Sequence, residues 1–92
     1  MQEKAKQIAE LLKILSNENR LLILCELMEG PKTVSALSGK ISNITQSALS
    51  QHLGLLKACG IVEYIKTGQN VTYSIADRRV EQVIFVLKQQ YC

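Results

Sequence analysis

Residues 45–59 read TQSALSQHLGLLKAC, and Leu49, Leu53 and Leu56 recur at the i, i+4, i+7 spacing of one helical face. The opposite face carries amide, hydroxyl and cationic side chains but no carboxylate: Gln46, Ser47, Ser50, Gln51 and Lys57. Such groups can hydrogen-bond base edges and phosphates without repelling DNA. The stretch therefore predicts a recognition helix, although an ordinary surface helix shows the same kind of polar face.

The segments around this helix follow a familiar order. They are a short helical segment at 33–39, a turn with Ser42 and Asn43, a stop at Gly60, and strand-like runs at 61–67 and 71–76 separated by Gly68-Gln69-Asn70. Helix, turn, helix and hairpin in this order are typical of a winged helix-turn-helix. The predicted fold class is mostly α, with a small β wing.

Length and charge limit the possible functions. Ninety-two residues with 47% hydrophobic content predict one domain over residues 1–92 with a small core. The net charge is +3, and residues 45–70 carry Lys57 and Lys66 against Glu63, a local balance of +1. DNA affinity should therefore rest partly on hydrogen bonds and dimerisation, with a modest dependence on salt.

The sequence shows no membrane span, no signal-peptide pattern and no catalytic constellation. It predicts a cytoplasmic protein that is not an enzyme. Its three cysteines are an odd number, which argues against a disulfide framework in such a compartment. They are expected to be reduced thiols that pack in the core, bind a metal or react with oxidants.

Two amphipathic helices are predicted at the ends of the chain. Ile8, Leu11, Leu12 and Leu15 mark the first, and the last spans 80–91 after a possible cap at Asp77. A second helix at 20–29, capped by Asn17 or Asn19, is apolar around most of its circumference and should be the buried centre.

The end helices carry more apolar surface than one small domain can cover. The favoured explanation for this apolar surface is a two-fold homodimer through the terminal helices. Such a dimer presents two recognition helices to successive major grooves of a near-palindromic site. The alternative is that both helices fold back on their own subunit.

The hairpin is predicted to be a DNA-binding wing. Its strands should place Val62, Tyr64 and Ile65 opposite Val71, Tyr73 and Ile75. Lys66, Gln69 and Asn70 could then reach phosphate or the minor groove, although an ordinary solvated hairpin explains them equally well.

Motifs spread over most of the chain resemble the ArsR/SmtB family of bacterial winged-helix repressors. They are LSNENRLLILCELMEG at 15–30, QSALSQHL in the recognition helix, and GIV followed by GQNVTYSI in the wing. The resemblance implies a homodimer of five helices with a hairpin before the last. It also implies repression of an operator until an inducer lowers the affinity.

The metal-sensing members of that family use ligands that this sequence lacks. The matching stretch around the start of the third helix, residues 31–37, holds no thiol, carboxylate or imidazole, and only Asp77 survives from the ligand pattern of the last helix. No metal or other cofactor is therefore expected. A nonstandard soft-metal site of Cys25, Cys59 or Cys92 is the alternative.

Two cysteines resemble those of the persulfide- and redox-responsive branch of the same family. They are Cys25, within R-L-x-x-L-C, and Cys92, within the closing Y-C. The resemblance implies that reactive sulfur species or oxidants link the two through a disulfide or polysulfide, and that DNA is then released. The alternative for Cys25 is a buried packing residue, and packing is also expected for Cys59.

The DNA-binding residues are assigned by chemistry. Gln46 and Gln51 could pair with adenine, and Ser47 and Ser50 could bind phosphate or bases. The remaining candidates are Thr45, His52, Lys57, Lys66, Gln69 and Asn70. For His52 the family resemblance favours a DNA contact over a structural imidazole, and a metal ligand comes last. A winged helix that binds another protein instead of DNA is the alternative from a different functional class.

Overall fold

The computed structural model describes residues 1–91 as five helices and three strands; Cys92 lies outside the described residues. The elements are α1 (Gln2–Leu15), α2 (Glu18–Leu27), β1 (Lys32–Thr33), α3 (Val34–Lys40), α4 (Gln46–Ala58), β2 (Val62–Thr67), β3 (Asn70–Ile75) and α5 (Arg78–Tyr91). The predicted winged helix-turn-helix is confirmed. The strand β1 was not predicted, because two residues carry no local pattern and become a strand only by pairing with β3.

Helix α2 lies two residues earlier than the predicted 20–29 at both ends. It begins where Asn17 Oδ1 accepts a hydrogen bond from the Arg20 amide at 3.1 Å, so Asn17 is the cap. Ile23, Leu24 and Leu27 of this helix enter the core, whereas the Leu22 side chain is 42% exposed.

One cluster of buried side chains forms the core of the described residues. Leu49, Leu53 and Leu56 are fully buried, which confirms the predicted inner face of α4. They pack in the same cluster with residues of the other helices and the wing: Leu15, Ile23, Leu24, Leu27, Leu37, Ile41, Ile61, Val62, Val80 and Ile84. Among residues 1–91, no helix combines the length and apolarity that crossing a membrane requires.

A glycine turn ends α4 and directs the chain into the wing. The amide of Gly60 donates to the Lys57 carbonyl and that of Ile61 to the Leu56 carbonyl, both at 2.9 Å. Gly60 has a φ of +75°, in the left-handed region that a residue with a Cβ rarely adopts. This Schellman arrangement seals the end of the helix and buries Ile61 beside Leu56.

The wing hairpin has a tighter turn than the sequence suggested. Gly68 and Gln69 alone form the loop, since Asn70 already pairs with Thr67 in the ladder, and Gly68 has a φ of +62°. The ladder pairs Tyr64 with Tyr73, as predicted. However, Ile65 pairs with Thr72 and is 71% exposed, so its predicted place opposite apolar residues is wrong.

The terminal helices leave apolar side chains uncovered within one chain. Ile8 and Leu12 of α1 are exposed, as are Val83, Val86 and Leu87 of α5, while Leu15 and Ile84 of the same helices are buried. The last three follow the i, i+3, i+4 spacing of one helical stripe. This agrees with the predicted surplus of apolar surface at the chain ends.

The start of α5 offers a test of stability against pH. Asp77 Oδ1 accepts a hydrogen bond from the Arg79 amide at 2.9 Å, and its Oδ2 lies 2.9 Å from the Arg79 guanidinium. The side-chain hydrogen bond from Arg79 holds the pKa of Asp77 below its ordinary value of 3.8, against the opposing effect of burial. Because the pKa is lowered in the folded state, the contribution to stability is complete above the unfolded value and is lost as pH falls through the folded value.

We expect Asp77→Ala to lower the free energy of unfolding by about 1 kcal/mol at pH 7, as for the loss of a helix cap. Urea unfolding at pH 7 and at pH 3 measures this effect, and the difference from wild type should shrink at the lower pH. Asp77→Asn is the control, because it keeps an acceptor for the α5 amides but removes the charge. A penalty for alanine that does not change with pH would contradict the ionic part of the argument.

Candidate nucleic-acid interface and thiol site

The outer face of α4 is exposed, as a recognition helix requires. Gln46, Ser47, Ser50 and Gln51 all lie at the surface. Thr45 begins the helix, since its Oγ1 accepts a hydrogen bond from the Ala48 amide at 3.0 Å. Its hydroxyl therefore has a structural task, while the side chains that follow it remain available to a ligand.

The short helix α3 places α4 against the core. Thr33 caps it, with its Oγ1 accepting from the Ala36 amide at 3.1 Å, and Leu37 and Ile41 are buried below it. The turn to α4 passes through Asn43, whose φ of +62° is one that asparagine tolerates better than most residues. These contacts form the helix-turn-helix.

A polar cleft of 270 Å³ joins the start of α4 to the tip of the wing. It brings together four of the predicted DNA-binding residues, Gln46, Ser50, Gln69 and Asn70. Ser35 of α3 also lines it and was missed by the sequence reasoning. The signal was present, because Ser35 follows the Thr33 cap on the exposed first turn of α3. The cleft offers amide and hydroxyl donors of the kind that bind phosphate oxygens.

The two lysines assigned to DNA are not among the residues that line this cleft. Lys57 Nζ is 5.2 Å from the centre of the Tyr64 ring, a cation–π contact that ties the end of α4 to β2. The Tyr64 ring in turn lies 5.4 Å from that of Tyr73, whose pKa is raised above 10.0 first by burial and then by Tyr64. Lys66 is exposed on β2 opposite Val71. Lys57 thus supports the base of the wing.

His52 is half-buried on the flank of α4. Its Nδ1 lies 3.3 Å from Nε of Arg20, which can only donate, so Nδ1 is the acceptor. This contact supports a structural role for His52, the second of the three roles that the sequence predicts. A contact between His52 and DNA stays a prediction.

Cys25 lies on α2 and faces the last turns of α5. It is half-buried and lines a cavity of 350 Å³ with Leu21, Ile84, Leu87 and Tyr91. The ammonium of Lys88 also borders this cavity and donates to the Cys25 carbonyl at 3.3 Å. The predicted partner thiol, Cys92, lies outside the described residues, but its neighbour Tyr91 shares the cavity with Cys25.

Cys59 is in a different place. It is exposed after the last turn of α4 and lines a second cavity of 630 Å³ with Ile8 and Leu11 of α1 and Asp77. Within the described part of the chain, no three His, Cys, Asp or Glu side chains form a group that could hold a metal ion. Asp77, the one survivor of the metal-ligand pattern, uses both oxygens for Arg79 and the start of α5.

The helix-turn-helix is also the part of the chain with a family match. Residues 17–64 match the family described as bacterial regulatory protein, arsR family. This segment covers more than half of the chain, from the start of α2 into β2.

The chain belongs to the arsR family.

Relatives with known structures extend the similarity beyond the matched segment. HlyU from Vibrio cholerae, named a transcriptional activator, is 38% identical with a TM-score of 0.93, over 100% of this chain and 99% of that one. The transcriptional repressor BigR from Xylella fastidiosa is 36% identical with a TM-score of 0.90, over 100% and 93%. Mb0332 from Mycobacterium bovis, described as a homodimeric winged helix-turn-helix DNA-binding domain, is 29% identical with a TM-score of 0.79, over 94% and 79%.

These findings establish the general function of the chain. It is a DNA-binding transcriptional regulator of the arsR family, and members of this family regulate transcription and are not enzymes. The prediction that the chain is not an enzyme is therefore confirmed by its relatives.

Proposed function

We propose that this arsR-family protein is a homodimeric cytoplasmic repressor that binds near-palindromic operator DNA and releases it when Cys25 and Cys92 become linked. The observation that carries the DNA-binding part is the exposed face of α4, which has amides and hydroxyls but no carboxylate and lies beside the wing tip. This face matches the donors and acceptors of the major groove.

The dimer part of the proposal rests on the two terminal helices. Both leave apolar side chains exposed in one chain, and such contiguous surface is usually covered by a partner. The Mycobacterium bovis relative is described as homodimeric. A two-fold axis near α1 and α5 would present two copies of α4 to one face of the DNA, so the operator should be nearly palindromic.

Repression is the simpler of the two outcomes named among the relatives. BigR is named a repressor and HlyU an activator. A bound dimer that covers promoter DNA represses without any further contact, whereas activation needs an additional interaction. We therefore propose that this chain represses transcription.

The thiol part rests on the position of Cys25. Its cavity is bounded by the last turns of α5, which lead directly to residue 92. An organic persulfide can transfer its outer sulfur to the Cys25 thiolate, which leaves a protein persulfide and an organic thiol. Attack by the Cys92 thiolate on Sγ of Cys25 then forms a disulfide and releases hydrogen sulfide. A second donor molecule extends the Cys25 persulfide by one sulfur, and attack by the Cys92 thiolate on the middle sulfur of this chain then yields a trisulfide and releases hydrogen sulfide.

Such a link would join a core helix to a helix of the proposed dimer interface. Because α5 carries the exposed apolar stripe, a covalent tie to α2 changes how that stripe can be presented to a partner. A small change at the interface alters the separation of the two recognition helices. The link thus lowers operator affinity if it favours an arrangement that no longer matches successive grooves.

We expect Gln51→Ala to weaken operator binding by about 1 to 3 kcal/mol at constant salt, because one amide contact to a base edge is lost. Gln51 is exposed on α4, so the fold should be unaffected. Gln89→Ala makes the same change on the exposed surface of α5 and should bind like wild type. Fluorescence anisotropy with a duplex selected from a random pool gives both affinities. Equal affinities for the two variants would remove α4 from the interface.

The thiol proposal is tested by intact mass and peptide mapping after treatment with an organic persulfide or a disulfide-forming oxidant. We expect a crosslinked peptide pair containing Cys25 and Cys92, with extra sulfur after the persulfide, and loss of DNA binding. Cys59→Ser should respond like wild type, whereas Cys25→Ser should keep binding DNA after treatment. Modification of Cys59 alone would remove the proposed switch. A cadmium titration with thiolate absorption would then favour the soft-metal alternative.

A further inference from the structure

At the C-terminal end of α1, an arginine side chain donates a hydrogen bond to a backbone carbonyl that has no partner within the helix. The last four carbonyls of a helix have no partner within it. In α1 the Leu12 carbonyl receives the Ser16 amide, that of Lys13 receives the Ser16 hydroxyl, and that of Leu15 receives the Asn17 amide. The remaining carbonyl, of Ile14, accepts from Nη1 of Arg20 at 3.0 Å. The guanidinium also places a positive charge at the negative end of the helix dipole.

The same guanidinium reaches the recognition helix. While Nη1 of Arg20 binds α1, its Nε donates to Nδ1 of His52 at 3.3 Å. The Arg20 amide is in turn bound by the Asn17 cap of α2. One residue at the start of α2 therefore connects the end of α1 with the middle of α4. Both contacts are partly shielded from water, where hydrogen bonds are stronger than at an open surface.

The contact also fixes the proton of the imidazole. A guanidinium has no acceptor, so Nδ1 of His52 must be unprotonated for the hydrogen bond to exist. The neutral ring then carries its proton on Nε2.

We propose that Arg20 is a positioning residue that sets, through His52, the orientation of the recognition helix relative to the dimerisation helix α1. This inference rests on the proposed function, because α1 determines the spacing of the two recognition helices only in a dimer. It assigns His52 to the geometry of the interface and not to contact with DNA. It also gives a role to Arg20, which lies in the motif at 15–30 but is not among the predicted DNA-binding residues.

The structure suggests a matched pair of variants at position 52. His52→Asn keeps an oxygen acceptor close to the place of Nδ1, whereas His52→Leu removes the acceptor. Asparagine is the poorer helix former of the two, so any effect of helix propensity acts against the expected result. The probe is a duplex selected by the wild-type protein from a random pool. In related duplexes the two half-sites of this probe are moved apart or together by single base pairs. One further duplex keeps only one half-site.

We expect His52→Leu to bind the two-half-site duplex about tenfold more weakly, as for the loss of one hydrogen bond to a charged group. Its affinity for the single half-site should change by no more than about twofold, since the DNA-contacting face is separate. Its preference for one spacing should also become broader. His52→Asn should retain both the affinity and the sharp preference. Equal losses on both duplexes, or no loss on either, would overturn the inference.

Nitrogen NMR tests the hydrogen bond between Arg20 and His52 directly. The chain has one histidine, so its imidazole signals are unambiguous. We expect an unprotonated Nδ1 and a protonated Nε2 in wild type, and a mixture of tautomers in Arg20→Met. Arg78→Met is the charge control, since Arg78 is exposed at the start of α5. The opposite tautomer in wild type would refute the contact.

Failure of this inference is distinguishable from failure of the proposed function. If the wild-type protein binds no duplex, or sediments as a monomer, the proposed function fails before the variants are compared. If wild type binds as a dimer and His52→Leu matches it on every duplex, only the role of Arg20 is refuted. Urea unfolding of each variant identifies losses of affinity that come from instability.

Discussion

Leu53→Ala is expected to lower the free energy of unfolding by about 2 to 5 kcal/mol, the range measured for leucine truncation in closed cores. Leu53 has no exposed surface and lies in the middle of α4, within the cluster that joins the helices to the base of the wing. Alanine removes apolar contacts and leaves a cavity, because the surrounding helices relax only partly. A domain of this size has only about 5 to 15 kcal/mol in total, so the loss is a large fraction of its stability.

Urea unfolding followed by circular dichroism measures the change. Leu55→Ala is the matched control, since Leu55 is 37% exposed two positions along the same helix and helix propensity changes equally. The control should lose about 1 kcal/mol or less, because less apolar area returns to water. Similar losses for the two variants would mean that Leu53 is not at the centre of the core.

Val86→Glu is expected to convert the proposed dimer into monomers at micromolar concentration. The Val86 side chain is 53% exposed in one chain and forms the apolar stripe of α5 with Val83 and Leu87. A two-fold interface contains this position twice, so two carboxylates would be buried together. At about 2 kcal/mol for each unsatisfied polar group, the dimer should weaken by about a thousandfold.

Sedimentation velocity measures the oligomeric state, and anisotropy measures the accompanying loss of operator affinity. Gln89→Glu adds the same charge to α5 at a position that is already polar and exposed, and it should remain dimeric. A dimeric Val86→Glu protein would place the partner on another surface. A monomeric wild-type protein would remove the dimer from the proposed function altogether.

Several features of the fold could be predicted directly from the sequence. The inner face of α4 follows from three leucines at helical spacing, and the structure buries all three. Asn17 was one of the two caps predicted for α2, because it lies just before a helical pattern, and it accepts a hydrogen bond from the Arg20 amide of that helix. Local chemistry decides these features, so a local pattern can reveal them.

Other features depend on residues that are distant in the chain. The strand β1 exists only because β3 pairs with it, and the exposure of Ile65 follows from the ladder register and not from its apolar character. The contacts of Lys57 and His52 also join residues that are distant in the chain. Tyr64 lies beneath the Lys57 ammonium, and Arg20 donates to the His52 ring.

The sequence by itself determined the winged helix-turn-helix, the carboxylate-free face of α4 and the two amphipathic end helices, because periodicity, caps and turn residues act over a few neighbouring positions. Only the tertiary structure showed that the wing tip meets the start of α4 in one cleft and that Cys25 faces the end of α5. It alone showed that Arg20 joins three helices. These arrangements depend on how whole elements pack, and packing brings together side chains that no local pattern connects.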